Sequence, residues 1–393
     1  MRLVHLADIH LGFRQYQRQT PTGINQREAD VAVSLRRTID KVIELKPELV
    51  LIAGDVFHAV RPSNPAILYA FQEFLRLTQM LPDADIVMIA GNHDTPRTAE
   101  NVCILRLFTQ LGITVVEKEA KRITFHERDL SILAVPDMGI APSFEPDPAA
   151  KYNILLLHGE IEGVLPRSGR ELDRRPMGIT RQELHAELWD YIALGHYHVY
   201  REVEPNAFYS GSIDFTSTNS WGEKAEEDAA KTGGKGIIER DLVTGTHTFH
   251  PIRPLREWID LPSLSGAGLS PASLDEAIRA TVENVEGGID NKIVRLVVRD
   301  VPRHILRELD HKAIRDYKRK ALEFYLDTRR PEIVRQGQAA PGRRASLADT
   351  VRDKLRSRVL TENIDREALV ELGLHYLREA DLVAGPAEED AIA

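Results

Sequence analysis

The chain has 393 residues, 42% hydrophobic and 28% charged, enough to bury a real core in two domains or in one domain with appendages. Its single cysteine, Cys103, excludes an internal disulfide framework and a cysteine-based metal site. No apolar run approaches the ~18 residues of a spanning helix and no signal peptide opens the chain, so a soluble cytoplasmic protein with no membrane partner is expected. The net charge of −9 argues against a surface coated for nucleic acid, yet residues 303–360 hold 16 Lys and Arg against 8 Asp and Glu. That basic segment reads either as a surface for phosphate or a partner, or as solvated helix faces.

In chain order, the apolar run Leu3–Ala7 predicts a strand and 11–25 a polar loop. Val31, Val33, Leu35, Ile39, Val42, Ile43 and Leu45 recur at helical spacing and predict a helix over Gln26–Leu45, ended by Pro47. A second strand, Leu49–Ala53, precedes the turn-rich HAVRPSNP at 58–65 and a helix over Ala66–Met80. A third strand, Ile86–Ala90, precedes a helix over Ala99–Leu111. This β-α-β-α-β-α order predicts a sheet with helices on its faces.

Short strands follow at 113–116, 122–126, 130–135, 152–157, 191–194 and 199–204. Strands near 207–210, 236–242 and 247–253 are expected to complete a second sheet, giving an α/β two-sheet sandwich flanked by helices. The proline-rich stretch PDMGIAPSFEPDPAAK and the Gly- and Arg-rich 159–179 are candidate cleft walls, and the charged Trp221–Lys235 reads as a surface excursion. From Leu255 a small β-α-β-α-β unit is expected: strands 255–261, 291–299 and 321–328, with helices 270–285 and 302–319. The resulting division is 1–254, 255–330, a linker at 331–345 and two amphipathic segments within 346–393.

The chemistry collects where strands end. Leu3–Ala7 runs into Asp8-Ile9-His10, Leu49–Ala53 into Gly54-Asp55, and Ile86–Ala90 into Gly91-Asn92-His93-Asp94. Ile154–Leu157 runs into His158-Gly159, and Tyr191–Leu194 into Gly195-His196-Tyr197-His198. A buried strand holds the loop after it rigidly, and such a loop can present side chains to a cleft. Asp8, His10, Asp55, Asn92, His158, His196 and His198 offer oxygen and nitrogen donors suited to Mn, Fe, Zn or Mg. Seven donors exceed the needs of one tetrahedral ion and suit two ions if a carboxylate bridges, with Asp55 the candidate bridge. Two ions about 3.5–4 Å apart clamp a phosphate and lower the pKa of a water. Each short motif alone is ordinary turn chemistry, but five at the ends of five apolar strands are hard to obtain from packing needs.

Taken in this order, D-x-H, G-D, G-N-H-D, H-G and G-H-x-H resemble the calcineurin-like metallophosphoesterases over roughly the first 250 residues. LADIHLG at 6–12, GDVFHAVRPS at 54–63 and GSIDFTS at 211–217 are similar to one branch, the SbcD-type DNA double-strand-break repair nucleases. The resemblance implies a four-layer sandwich with a small α/β capping domain and C-terminal helices that bind an SbcC-type coiled-coil SMC-like ATPase. It implies one ion held by Asp8, His10, Asp55 and His198, and a second by Asp55, Asn92, His158 and His196, with Mn2+ the expected metal. His93 would protonate the leaving 3′ oxygen or stabilise the phosphorane, and His58 would position the phosphate. The residues leave open whether Asp94 orients His93 or hydrogen-bonds its turn, and Arg61 is a candidate phosphate contact. DNA phosphodiester hydrolysis, as exonuclease and single-strand endonuclease, and a homodimer formed through helices 66–80 and 99–111 are implied as well. The alternatives are a phosphoesterase for nucleotides or phosphoproteins and a non-catalytic scaffold. The charged insert near 220–235 departs from the branch beside the site.

Overall fold

The computed structural model describes residues 1–96, 102–138, 141–164, 177–331, 347–357 and 365–384. The expected linker, the start of the 99–111 helix, most of the 159–179 cleft wall and the C-terminal tail lie outside the described residues. The first half of the chain carries β1 (Arg2–Leu6), α1 (Gln26–Leu45), β2 (Leu49–Ile52), α2 (Asn64–Met80), β3 (Asp85–Ile89), β4 (Thr114–Val116), β5 (Lys121–Phe125), β6 (Leu130–Val135) and β7 (Tyr152–His158). It continues with β8 (Glu160–Ile161), β9 (Gly178–Ile179), α3 (Arg181–Leu184), β10 (Tyr191–Gly195), β11 (Arg201–Glu204), β12 (Ala207–Tyr209), α4 (Ser220–Ala230), β13 (Gly236–Asp241) and β14 (His247–Pro251). The small unit comprises β15 (Trp258–Ser265), α5 (Pro271–Glu283), β16 (Ile293–Arg299), α6 (Arg303–Glu308), α7 (His311–Lys320) and β17 (Glu323–Thr328). Helices α8 (Leu347–Ser357) and α9 (Arg366–Ala384) follow.

Two six-stranded sheets form the sandwich, ordered β14-β13-β1-β2-β3-β4 and β11-β12-β10-β7-β6-β5. Their central strands are apolar on both faces, as strands covered on both sides must be. Leu3, Leu49, Leu51, Val87 and Ile89 point between the sheets, against Ile132, Ile154, Leu156, Tyr191 and Ala193. The alternate residues Val4, Leu6, Val50, Ile52, Ile86 and Met88 face the other way, onto Val31, Leu35 and Ile39 of α1 and Phe74 and Leu77 of α2. Each such side chain contributes about 1.5–3 kcal/mol by leaving water. Asn25 and Ser63 cap α1 and α2 through their side-chain oxygens, and Lys46 ends α1 in the left-handed region just before Pro47.

Four expectations are corrected. Strands β13 and β14 extend the first sheet, through the antiparallel pairing of β13 with β1, and only β12 joins the second. Pairing partner is a tertiary choice that an apolar run does not encode. Ile104–Leu111 is a 3-10 helix entered from an extended Cys103, because buried Leu105 and Phe108, three apart, serve either helix type equally well. The 302–319 helix is broken at Leu309 and Asp310, where the Asp310 carboxylate caps α7 by accepting from the N–H groups of Lys312 and Ala313. The excursion 221–235 contains α4, with Glu223 and Glu227 buried.

Residues 1–331 form one compact unit. Within it β15-β16-β17 make an all-parallel sheet over a core of Leu274, Ile278, Leu296, Val298 and Phe324. Arg18, in the first loop, donates to the Arg319 carbonyl at 2.6 Å and the Ala321 carbonyl at 3.1 Å, satisfying the end of α7. In the second unit α8 packs on α9, where Gly373 leaves room for Leu355. Among the described residues no helix is long and apolar enough to cross a membrane.

Candidate metal centre

Strands β1, β2 and β3 are parallel neighbours, and so are β7 and β10, so their C-terminal ends gather at one edge of each sheet. The two edges are stitched together by the predicted site residues. His196 N–H donates to both Asp8 carboxylate oxygens at 3.0 Å, and His158 Nδ1 lies 2.7 Å from the Ala53 carbonyl. A Cβ at Gly195 would collide with that same carbonyl, so only glycine permits the approach. Within the first sheet, His10 N–H donates to the Asp55 carbonyl at 2.9 Å and His93 N–H to Asp55 Oδ1 at 2.8 Å.

Four of the seven candidate ligands hold positive φ: Asp8 at 53°, His10 at 52°, Asp55 at 52° and His196 at 108°. Such conformations cost of order 1–3 kcal/mol each and persist where the surrounding structure over-determines them. Asp, Asn and His tolerate the left-handed region better than branched residues, which suits donor residues in tight strand-end turns.

The side chains converge. Donor atoms of Asp8, His10 and His198 lie within 4.8 Å of one another, as do those of Asp55, His158 and His196, and those of His10, His58 and His93. Asp55 Oδ2 stands between the first two groups, 3.7 Å from His10 Nε2 and 3.5 Å from His158 Nε2. Asn92 Oδ1 is 3.0 Å from His158 Nε2 and 3.3 Å from His196 Nδ1. His10 Nε2 and His198 Nε2 face each other at 3.0 Å. All seven residues are brought together, Asp8 and His158 fully buried.

Burial works against charge throughout this cluster. It pushes Asp8 up to about 6, against the pull of His198 and His158. It would push Asp55 up too, but His158, His10 and His93 hold that carboxyl well below the usual range. Burial would likewise keep His158 neutral, yet Asp55 raises it to about 10. His10 is held well below its ordinary value and His196 falls to about 3, chiefly through burial, so both present neutral imidazole, the form that binds cations. Because the Ala53 carbonyl can only accept, His158 carries a proton on Nδ1 and aims Nε2 into the centre. The donor set is nitrogen and oxygen alone, largely buried and convergent, and it fits divalent cations.

The remaining predicted residues sit around this cluster. The rings of His58 and His93 stack at 5.2 Å, and His93 meets His10 edge-on at 4.8 Å. His93 Nδ1 is 2.8 Å from the His58 carbonyl, so that nitrogen donates. Asp94 bonds the turn: its buried carboxylate accepts from the N–H groups of Val56, Phe57 and Gly91 at 2.9–3.1 Å. It pins two strand-end loops to each other, the turn-bonding alternative that the sequence left open. Arg61 is exposed in the turn beyond His58. His5 is buried mid-strand with Nδ1 3.1 Å from the Tyr191 hydroxyl, and Trp189 and Trp258 are buried in packing roles.

The sequence reading missed Glu223, Glu227 and Lys235. Glu223 Oε1 lies 3.2 Å from His198 Nδ1, and Lys235 Nζ lies 2.8 Å from the same oxygen and 2.7 Å from Glu227 Oε1. Two glutamates four apart on a helix, followed by a lysine at the mouth of a strand, were the available signal, masked by the polar composition around them.

Residues 1–228, more than half the chain, match the calcineurin-like phosphoesterase family, and the chain belongs to it. It is also similar to proteins named DNA double-strand break repair protein Mre11. Identity is 28% over 255 residues with that of Methanocaldococcus jannaschii, covering 62% of this chain and 63% of the relative. It is 30% over 205 residues with that of Sulfolobus acidocaldarius, covering 49% and 51%, and 24% over 326 residues with that of Sulfurisphaera tokodaii, covering 78% and 76%. The chain thus spans less than two thirds of the first two of these relatives.

Proposed function

We propose that this phosphoesterase is a metal-dependent DNA nuclease of double-strand-break repair, cutting phosphodiesters as an exonuclease and single-strand endonuclease. The observation that carries the metal reading is Asp55 Oδ2, which lies within 3.7 Å of a histidine of each donor group and can bridge two ions. Asp8, His10, Asp55 and His198 would hold one ion, and Asp55, Asn92, His158 and His196 the other, with Mn2+ the expected metal. Bound there, the ions would neutralise phosphate charge and activate a water. His93, anchored through Nδ1 on the His58 carbonyl, has Nε2 to exchange a proton with the leaving 3′ oxygen. His58, stacked on His93, would steady the phosphate, and Arg61 would meet the DNA backbone.

The substrate reading is supported by the similarity to double-strand break repair proteins and by the placement of basic charge. Helix α7 of the small unit carries Lys312, Arg315, Lys318, Arg319 and Lys320 and buries none of its residues. The three-stranded unit, as a capping domain at 255–330, would hold DNA mainly by its backbone, so cutting varies little with sequence. The C-terminal helices would bind a coiled-coil SMC-like ATPase. Exposed Leu68 and Val102 suit a homodimer face.

The test is hydrolysis of linear duplex and single-stranded DNA with Mn2+, comparing wild type with Asp55→Ala and His93→Ala, with a small aryl phosphodiester as control. Metal-dependent DNA cleavage lost in both variants supports the assignment. Cleavage of the aryl ester alone, with and without the ATPase partner, rejects DNA as the substrate and favours a nucleotide phosphoesterase.

A further inference from the structure

The segment that separates the GSIDFTS loop from β13 reads from sequence as a solvent excursion, yet it drives three charged side chains into the protein. Glu223, Glu227 and Lys235 are 8%, 3% and 2% exposed. Helix α4 is capped by the Asn219 side chain, which accepts from Gly222 N–H, and this sets Glu223 in the first turn facing inward. Ser217 Oγ donates to Glu223 Oε2 at 2.9 Å. Lys235 Nζ donates to Glu223 Oε1 at 2.8 Å and to the His198 carbonyl at 2.9 Å, and it lies 4.6 Å from the centre of the Phe215 ring. A further tie runs from the Tyr197 hydroxyl to Glu226.

These contacts meet on His198. Its Nδ1 is 3.2 Å from Glu223 Oε1, at ion-pair distance, although the ring N–H is not well aligned on that oxygen and has no other hydrogen-bond partner. Its Nε2 points the opposite way, into the group formed with Asp8 and His10. The carboxylate and the candidate ion therefore bracket one imidazole. Neutralising Lys235 does not by itself account for Glu223, because Glu227 already stands 2.7 Å from the same ammonium. Of the two carboxylates, Glu223 is the one that also reaches the histidine.

We propose that Glu223 is a positioning residue for the metal centre, an outer carboxylate that fixes the tautomer and orientation of His198 and strengthens Nε2 as a donor. The proposal rests on the reading that Asp8, His10 and His198 hold an ion. A carboxylate on the far nitrogen of a ligand histidine keeps the proton there and raises the basicity of the nitrogen that faces the ion, and its loss costs about 10–100-fold in metal affinity. Lys235 makes the arrangement tolerable in a dry interior by pairing the carboxylate, and it anchors the His198 backbone at the same time. The insert is thereby part of the site's scaffold.

Mn2+ titration of the metal-free full-length protein, followed by the EPR signal of free Mn2+, tests this without reference to activity. Wild type takes up two ions. Glu223→Gln, which keeps the shape and removes the charge, weakens one of the two by about 10–100-fold and leaves the other within about twofold. Thermal unfolding of the metal-free variant reports whether it is folded. Glu223→Gln with Glu227→Gln and Lys235→Met removes all three members of the buried charge cluster, and this variant shows the same selective loss if positioning is the role. Two sites of unchanged affinity in either folded variant overturn the proposal. So does wild-type protein loaded with Zn2+ in which nitrogen NMR finds the His198 proton absent from Nδ1, a measurement that needs no variant. Wild type that takes up no Mn2+ instead defeats the metal-centre reading itself, so the two failures are distinguishable.

Discussion

Two histidines from neighbouring strand ends are held in different ways. His158, at the end of β7, has its outer nitrogen 2.7 Å from a backbone carbonyl of β2's own extension, Ala53. His198, beyond β10, has its outer nitrogen against a side chain, Glu223, supplied by a helix that belongs to neither sheet. The first tether comes with the stacking of the sheets, and its acceptor is a backbone group that no side-chain truncation removes. The second depends on one carboxylate and the buried lysine paired with it. The centre thus has a side built from the sandwich itself and a side propped from outside, and the propped side is where sequence change can tune the site.

The two sides depend most heavily on the residue they share, Asp55. Asp55→Ala removes the candidate bridge, and the expected outcome is loss of Mn2+ uptake at both sites and at least about a thousandfold loss of hydrolysis, the scale of several kcal/mol of charge stabilisation. Retention of two tightly bound ions in that variant would sink the bridging role. His93→Ala probes the centre from the other direction, because the backbone N–H that bonds Asp55 Oδ1 survives the substitution. It should lower turnover about 10²–10⁴-fold while both ions stay bound. Falling metal content would show that the ring is needed for assembly rather than proton transfer.

Asp94→Ala tests the backbone-built side. It leaves three buried N–H groups without their acceptor, and a loss of roughly 3–5 kcal/mol in denaturant unfolding is expected. A variant of unchanged stability would show that the loops hold without it. On the same side, the proton that His158 keeps up to about pH 10 must leave Nε2 when an ion arrives. Calorimetry of Mn2+ binding near neutral pH, repeated in buffers of different ionisation heat, should report proton release, and binding should tighten as pH rises. Equal heats in all buffers count against the assigned protonation.

An effect that shows only in acid lies in the core between the sheets. Burial lowers His5 to about 3 from its ordinary 6.5, so the folded protein binds fewer protons there than the unfolded chain does. Stability from this residue is therefore full above pH 6.5 and declines as pH falls towards 3, by about 1.4 kcal/mol per unit. His5→Phe should flatten that part of the stability profile, and an unchanged slope would show that other groups set it.

The convergence of the candidate donors was legible because the motifs are local. An apolar strand followed by Asp-x-His or Gly-Asn-His-Asp announces both the element and the turn, and parallel strand order then forces the turns to one edge. Burial on both faces was equally legible, since Leu3 and Val4, or Leu155 and Leu156, point to opposite faces and both must be apolar. The role of Asp94 was not legible, because a carboxylate beside His93 in sequence can bond a side chain or a backbone with equal local geometry. Nor was the 3-10 form of Ile104–Leu111, whose spacing suits two helix types.

By itself the sequence determined the candidate strand-end donors, the sandwich of two apolar sheets and the three strands of the small unit, because each follows from residue periods of two or about 3.6 and from turn residues beside them. Only the tertiary structure decided that β13 and β14 close the first sheet, that Asp94 serves the loops, and that a charged insert carries Glu223 and Lys235 to His198. Those outcomes depend on which distant backbone groups and charges meet, and a buried ion pair looks like surface in a sequence until its partner is in place.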